Sequence, residues 1–208
     1  MRNLLLLALP LALGGCATSR GPVPVASDWR AVATESDRKR LRDWRGEFAR
    51  AVAKARAAGH GTTIDAEGRL LVPDAALGGA LPNGAYRCRV IKLGARGEGL
   101  LDYVSYPGFA CRVTQEGQLQ YFAKLTGSQR QMGRIYPADA MRSVFLGVLM
   151  LGDETRPMRY GSDPDRLVAG WVERIDDRRW RIVFPAPRFE SLTDVVELVP
   201  AGTIRSPG

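Results

Sequence analysis

Lys124 and Ser128, four positions apart in Lys124-Leu125-Thr126-Gly127-Ser128, are the side chains closest to a nucleophile and its base. On a strand that runs into a turn they need not meet, and Thr126-Gly127-Ser128 reads better as the turn itself. The single histidine, His60, lies between two glycines and reads as a loop residue, which removes most triad and metal mechanisms. Asp153, Glu154, Asp163 and Asp165 gather in one segment, yet calcium needs six or more oxygens in suitable geometry. Pro157, Gly161 and Pro164 account for that segment as turns. Long loops are often functional, and in such a loop Tyr160 and Arg166 are candidate contacts. Tyr86, Lys124, Arg130, Tyr160 and Arg166 are the candidate ligand-binding residues; no catalytic residue, cofactor or metal is expected.

Sulfur carries the remaining chemistry. Three cysteines are present, Cys16, Cys88 and Cys111. Met1-Arg2-Asn3 is a short positive start, and Leu4 to Leu13 is apolar apart from Pro10. That run is about half the twenty residues a membrane span requires, so residues 1–15 read as a secretory leader. Leu13-Gly14-Gly15-Cys16 resembles the bacterial lipobox, which implies a diacylglycerol on Cys16. Two or more acyl chains hold a protein stably at a membrane. Ala17 follows, where an aspartate would favour the inner membrane, so the expected address is the outer membrane, facing the periplasm. In that oxidising compartment Cys88 and Cys111 are expected to form a disulfide, worth about 3 kcal/mol by chain entropy.

The remaining chain has room for one ordinary domain, and 45% hydrophobic residues suffice for a core. The formal charge is +8, almost all from scattered arginines; Lys39, Lys54, Lys92 and Lys124 are the lysines. Scattered charge points to a solvated basic surface, with attraction to anionic lipid or an acidic partner as the alternative. No nucleic-acid motif is present.

Residues 16–26 read as a lipidated linker rich in proline and small residues. Residues 27–61 form a helical segment. Thr34-Glu35-Ser36-Asp37 looks like an N-cap, and Leu41, Trp44, Phe48, Val52 and Ala55 make one apolar face to about Ala58. Residues 62–83 are a connecting loop. From residue 84 to 208 the pattern is period two, with strands near Tyr86–Leu93, Phe109–Gln115, Leu119–Leu125, Met132–Tyr136, Arg142–Leu151, Val168–Ile175, Trp180–Pro185 and Asp194–Val199. Glu116-Gly117 and Asp176-Asp177 are plausible hairpin turns. Cys88 and Cys111 share the apolar phase of their strands, so a bridge would staple neighbours. Eight strands without intervening helices predict a mainly β fold, an eight-stranded antiparallel, calycin-like barrel with an amphipathic helix outside it; a sandwich is the alternative. Val144 to Leu151 is apolar on both faces, and its outer face is expected to meet that helix.

Several stretches together resemble the proteobacterial domain-of-unknown-function family 4893. They are Tyr86-Arg87-Cys88-Arg89, Lys92-Leu93-Gly94, Phe109 to Arg112, Lys124 to Arg130, Val144 to Gly147, Phe189-Glu190-Ser191 and Asp194 to Pro200. The resemblance spans Trp29 to Pro200 and implies an envelope setting but no mechanism. Gly84-Ala85-Tyr86, the strand count and the preceding helix are similar to lipocalin-type barrels, although those usually carry tryptophan where Tyr86 stands. Fold likeness alone does not transfer function. The expected role is a non-enzymatic, lipid-anchored module with a small apolar ligand. The alternatives are an inhibitor or interaction lipoprotein acting on an envelope protein, and a hydrolase with an unrecognised site.

Overall fold

The computed structural model describes residues 27–202. Cys16, the leader and the linker lie outside the described residues. Asp28 caps a single helical turn, α1 (Trp29–Val32). Thr34 caps α2 (Glu35–Ala55): its hydroxyl accepts from the Asp37 amide and donates to the Asp37 carboxylate. The buried face of α2 is Leu41, Trp44, Phe48, Ala51 and Ala55, with Val52 at its margin. The chain then makes a wide turn over Arg56–His60, where Gly59 adopts φ 92°. The segment expected to be a loop continues as α3 (Gly61–Ala66) and a 3-10 turn over Gly68–Leu71.

Eight antiparallel strands follow in an up-and-down order: β1 (Gly84–Ala95), β2 (Tyr103–Glu116), β3 (Leu119–Lys124), β4 (Gln129–Pro137), β5 (Arg142–Leu151), β6 (Leu167–Asp176), β7 (Arg179–Pro185) and β8 (Ser191–Pro200). β8 pairs back onto β1, which closes the sheet into a barrel and leaves no edge strand. The pattern-based start of β2 at Phe109 falls six residues late. Cys88 pairs with Phe109 but Val90 with Tyr106, so β2 bulges at Pro107-Gly108 and its alternation is interrupted there.

Alternation gives the barrel a solid lower interior. Phe122, Phe145 and Phe184 stack edge to face, with centroids 5.8 and 5.5 Å apart. Gly133 and Gly147 face each other across β4 and β5, and a Cβ on Gly133 would lie 2.3 Å from the Leu146 carbonyl. At the lower end Tyr86 donates to the Pro82 carbonyl at 2.6 Å and Trp180 to the Ala80 carbonyl at 3.1 Å, so residues 80–83 cap the barrel. The Cys88–Cys111 disulfide lies inside, joining β1 to β2 with Cα atoms 6.0 Å apart.

The position of α2 corrects one expectation. Its body crosses β6, β7, β8 and β1, against Ile175, Val183, Val195, Ile91 and Leu93. The outer face of β5, Val144 and Leu146, is covered by Trp29 of α1 and its C-cap Ala33, while α2 reaches this strand through Leu41 and through Trp44, whose ring lies 5.2 Å from the Arg142 guanidinium. Buried ion pairs tie the N-terminal layer to the barrel. Arg181 and Glu173 are both fully buried and paired at 2.7 Å. Arg181 also donates to the carbonyls of Arg69, Leu70 and Pro73, which binds the connecting segment to β7.

Candidate functional site

The upper end of the barrel differs from the lower one. Along β1 the inward residues are Tyr86, Cys88 and Val90, and the next in phase is Lys92. In β3 Lys124 follows Phe122, in β4 Gln129 and Gln131 precede Gly133, and in β8 Asp194 precedes Val196. Four strands therefore change from apolar to polar on their inward face. In an up-and-down barrel the ends of β1 and β3 lie beside the starts of β4 and β8. These side chains consequently converge at one mouth, bordered by loops 96–102, 125–128, 152–166 and 186–190.

Two adjoining cavities open there. One, about 400 Å³, is lined by Val90, Phe109, Lys124, Gly127 and Gln131 among others. The second, about 240 Å³, runs along Gly99, Leu100, Leu101 and Val104. Lys92, Tyr106 and Glu190 line both, so they form the partition. The first volume falls in the range of small-molecule sites.

Lys92 is nearly buried and faces two carboxylates, Glu190 at 3.1 Å and Asp194 at 3.4 Å. Burial opposes its charge, but the carboxylates outweigh that and hold its pKa above the ordinary value. Asp194 lies deeper, accepts from the Ser191 hydroxyl, and burial raises its pKa. Lys124 is buried too, with no carboxylate in ion-pair range among the described residues. Its ammonium donates to the carbonyls of Thr126 at 3.0 Å and Gln129 at 2.8 Å. It sits 3.6 Å from the centre of the Phe109 ring. Burial, then the like charges of Lys92 and Arg130, pull its pKa down to about 8. Gly127, at φ 89°, permits this closeness: a Cβ there would stand 2.8 Å from Lys124 Nζ and 2.9 Å from Phe109. The Gln131 amide oxygen, buried beside the cavity, has no hydrogen-bond partner among the described residues.

Of the five residues expected to contact a ligand, only Lys124 lines this mouth cavity. Tyr86 belongs to the closed lower end, because its hydroxyl holds the 80–83 cap. Arg130 points along the outer rim and donates to the carbonyls of Gly152 and Glu154. Arg166 pairs with Glu154 at 2.6 Å and donates to the Leu149 carbonyl, so these two arginines fix the 152–166 loop. Tyr160 donates to the buried Asp37 carboxylate and docks that loop on the start of α2. Asp165 pairs with Arg188. No hydrogen bond joins Lys124 to the Ser128 hydroxyl among the described residues. His60 stacks on Tyr103 at 5.4 Å, outside the barrel. The residues that reading overlooked are Lys92, Gln129, Gln131, Glu190 and Asp194. Their signal was available for Lys92, Gln131 and Asp194: polar side chains on the inward phase of otherwise apolar strands.

Residues 29–198 match the model of a family described as Domain of unknown function (DUF4893). No curated protein and no solved structure matches the chain.

Proposed function

Because this chain belongs to the DUF4893 family, whose description carries no activity, we propose from the barrel mouth that it is a non-enzymatic, lipid-anchored envelope module. Its ligand is a small molecule held in the mouth. The observation that carries this reading is the cavity of about 400 Å³ lined by Lys124, Phe109, Gln129 and Gln131. The lumen below is filled by Phe122, Phe145, Phe184, Tyr86 and Trp180, so a wholly apolar ligand buried deep in the barrel has no room. The lipobox-like Leu13 to Cys16 supports a lipid anchor, and Ala17 after it supports the outer membrane, facing the periplasm.

Native mass spectrometry on the mature protein, purified from its own envelope in mild detergent, tests both parts. The expected spectrum carries diacylglycerol on Cys16 and a reproducible added mass of small-molecule size. A bare mass would refute tight ligand binding, and a Cys16→Ser variant that still partitions with membranes would refute the anchor.

A second reading, an interaction or inhibitor lipoprotein, draws on the outer surface. A groove of about 360 Å³ runs between α1, β4, β5 and the 152–166 loop, lined by Val32, Met132, Pro157 and Met158 among others. An added mass of protein size in the same spectrum would favour it.

A further inference from the structure

The mouth contains two carboxylates of different standing. Asp194 is built in: it is buried, held by Ser191, and lies on the inward face of β8. Glu190 comes from the 186–190 loop, and its side chain is 39% exposed. Its backbone is in the left-handed region at φ 67°, and Ala186 at the other end of the loop is at φ 46°. Non-glycine residues there carry strain that their surroundings must hold. The Glu190 backbone is held by the Arg96 amide, which donates to its carbonyl at 2.9 Å, and its carboxylate by one oxygen on Lys92 Nζ at 3.1 Å and the other accepting from the Gln129 amide at 3.3 Å. A cation and an amide N–H are the contacts with which a site receives a foreign carboxylate or phosphate. Beside them stands Lys124, a buried cation without a carboxylate of its own.

The surroundings of this polar seat are apolar. Of the nine large apolar side chains that stand exposed among the described residues, five belong to the mouth end, Leu100, Leu101, Tyr106, Leu125 and Phe189, and Leu101 is 69% exposed. A cluster of this kind marks a place where apolar groups bind. With Lys92 and Tyr106, Glu190 stands between the cavity that contains Lys124 and the one along Leu100 and Leu101, so its departure would remove one of the three side chains that separate them.

We propose that the mouth receives an acidic amphiphile, its carboxylate or phosphate seated between Lys92 and Lys124 and its apolar part along Leu100, Leu101 and Tyr106. In the free protein Glu190 occupies that seat as an internal stand-in and swings out when the ligand enters. This rests on the reading of the mouth as a small-molecule site. The ligand anion neutralises Lys124, which Glu190 leaves uncompensated, and Asp194 remains as the fixed partner of Lys92. No covalent step is involved.

Isothermal titration of the full-length protein with octanoate, octyl phosphate and 1-octanol tests the proposal, with Glu190→Gln and Lys124→Met variants beside the wild type. Octanoate and octyl phosphate represent the two sources of an anionic head, and the tighter of the two identifies which the seat prefers. At least one anion is expected to bind about tenfold or more tighter than octanol, since charge-assisted contacts exceed neutral ones. Glu190→Gln should tighten the anion by about two- to fivefold, the worth of a half-exposed ion pair, and leave octanol unchanged. Lys124→Met should remove the preference for the anions. Equal affinity of all three probes overturns the proposal while leaving a small-molecule site standing. Unchanged or weaker anion binding by Glu190→Gln overturns the stand-in role. No binding of any probe overturns the proposal, and a bare native mass in addition removes the reading on which it rests.

Discussion

Replacing Lys124 by methionine isolates the energetics of the buried mouth cation. The side chain keeps most of its volume against Phe109 but loses the charge. In the folded protein burial and the neighbouring charges of Lys92 and Arg130 bring the Lys124 pKa from 10.5 to about 8. The unfolded chain has no such environment, so its lysine stays protonated to about 10.5. The folded pKa is the lower one, and the penalty of holding the charge is therefore fully present below pH 8. It is released as pH rises from 8 towards 10.5, where the unfolded state binds the proton and the folded state does not. Linkage then raises wild-type stability by about 1.4 kcal/mol per pH unit in that window. Methionine has no such dependence of its own. Between pH 7 and pH 9.5 the wild type should gain about 2 kcal/mol over Lys124→Met. Urea unfolding at the two pH values, followed by tryptophan fluorescence, measures this as a difference of differences. A difference that stays constant, or moves in favour of methionine, would show that Lys124 is not held uncompensated and would remove the physical basis of the anion seat.

Three further perturbations address the frame around the mouth. Glu173→Gln leaves the guanidinium of Arg181 buried without its charge partner, although the Arg69, Leu70 and Pro73 carbonyls remain. Removing one partner of a buried pair costs about 3–5 kcal/mol, and a urea midpoint unchanged from the wild type would contradict this account of the β6–β7 face. Gly147→Ala would place a Cβ 2.3 Å from the Met132 carbonyl and 2.5 Å from the Phe145 ring. Overpacking of this kind costs about 3 kcal/mol, to be read as a lowered thermal midpoint; full stability would mean that β4 and β5 pair differently. Reduction of Cys88–Cys111, or their joint replacement by serine, should cost about 3 kcal/mol by the chain-entropy relation. Free-thiol titration under denaturing, non-reducing conditions should find neither cysteine reactive before reduction.

Much of the frame is legible in the chain because alternation and helical periodicity are local properties. The apolar phase of Tyr86, Cys88 and Val90 fixes which face of β1 turns inward, and the phase of Phe109, Cys111 and Val113 does the same for β2; together they put both cysteines inside the barrel. The spacing of Leu41, Trp44 and Phe48 fixes the buried face of α2, and Thr34 with Asp37 fixes its start. The same phase rule makes Lys92, Lys124, Gln131 and Asp194 conspicuous as polar residues on inward positions.

Which of those residues meet is decided only by the tertiary structure. A strand pattern gives the face of each side chain but not its neighbours around the barrel. Those follow from the summed registers of eight pairings and from the closure of β8 on β1, across more than a hundred residues. Closure is what brings Lys92 and Asp194 beside Lys124 and Gln129, while Tyr86 goes to the opposite end. It also decides which outer faces α2 can cover: the chain enters the barrel at β1, so the helix lies over β1 and its neighbours rather than over β5. Arg181 shows the same division. Its outward phase on β7 is that of a solvated arginine, and the 69–73 segment and Phe48 of α2, folding back over it, make it a fully buried partner of Glu173. Glu190 is the least legible of all. Its loop has no periodicity, and its place in the mouth depends on a left-handed backbone whose carbonyl accepts from the Arg96 amide and whose side chain reaches Lys92 and Gln129.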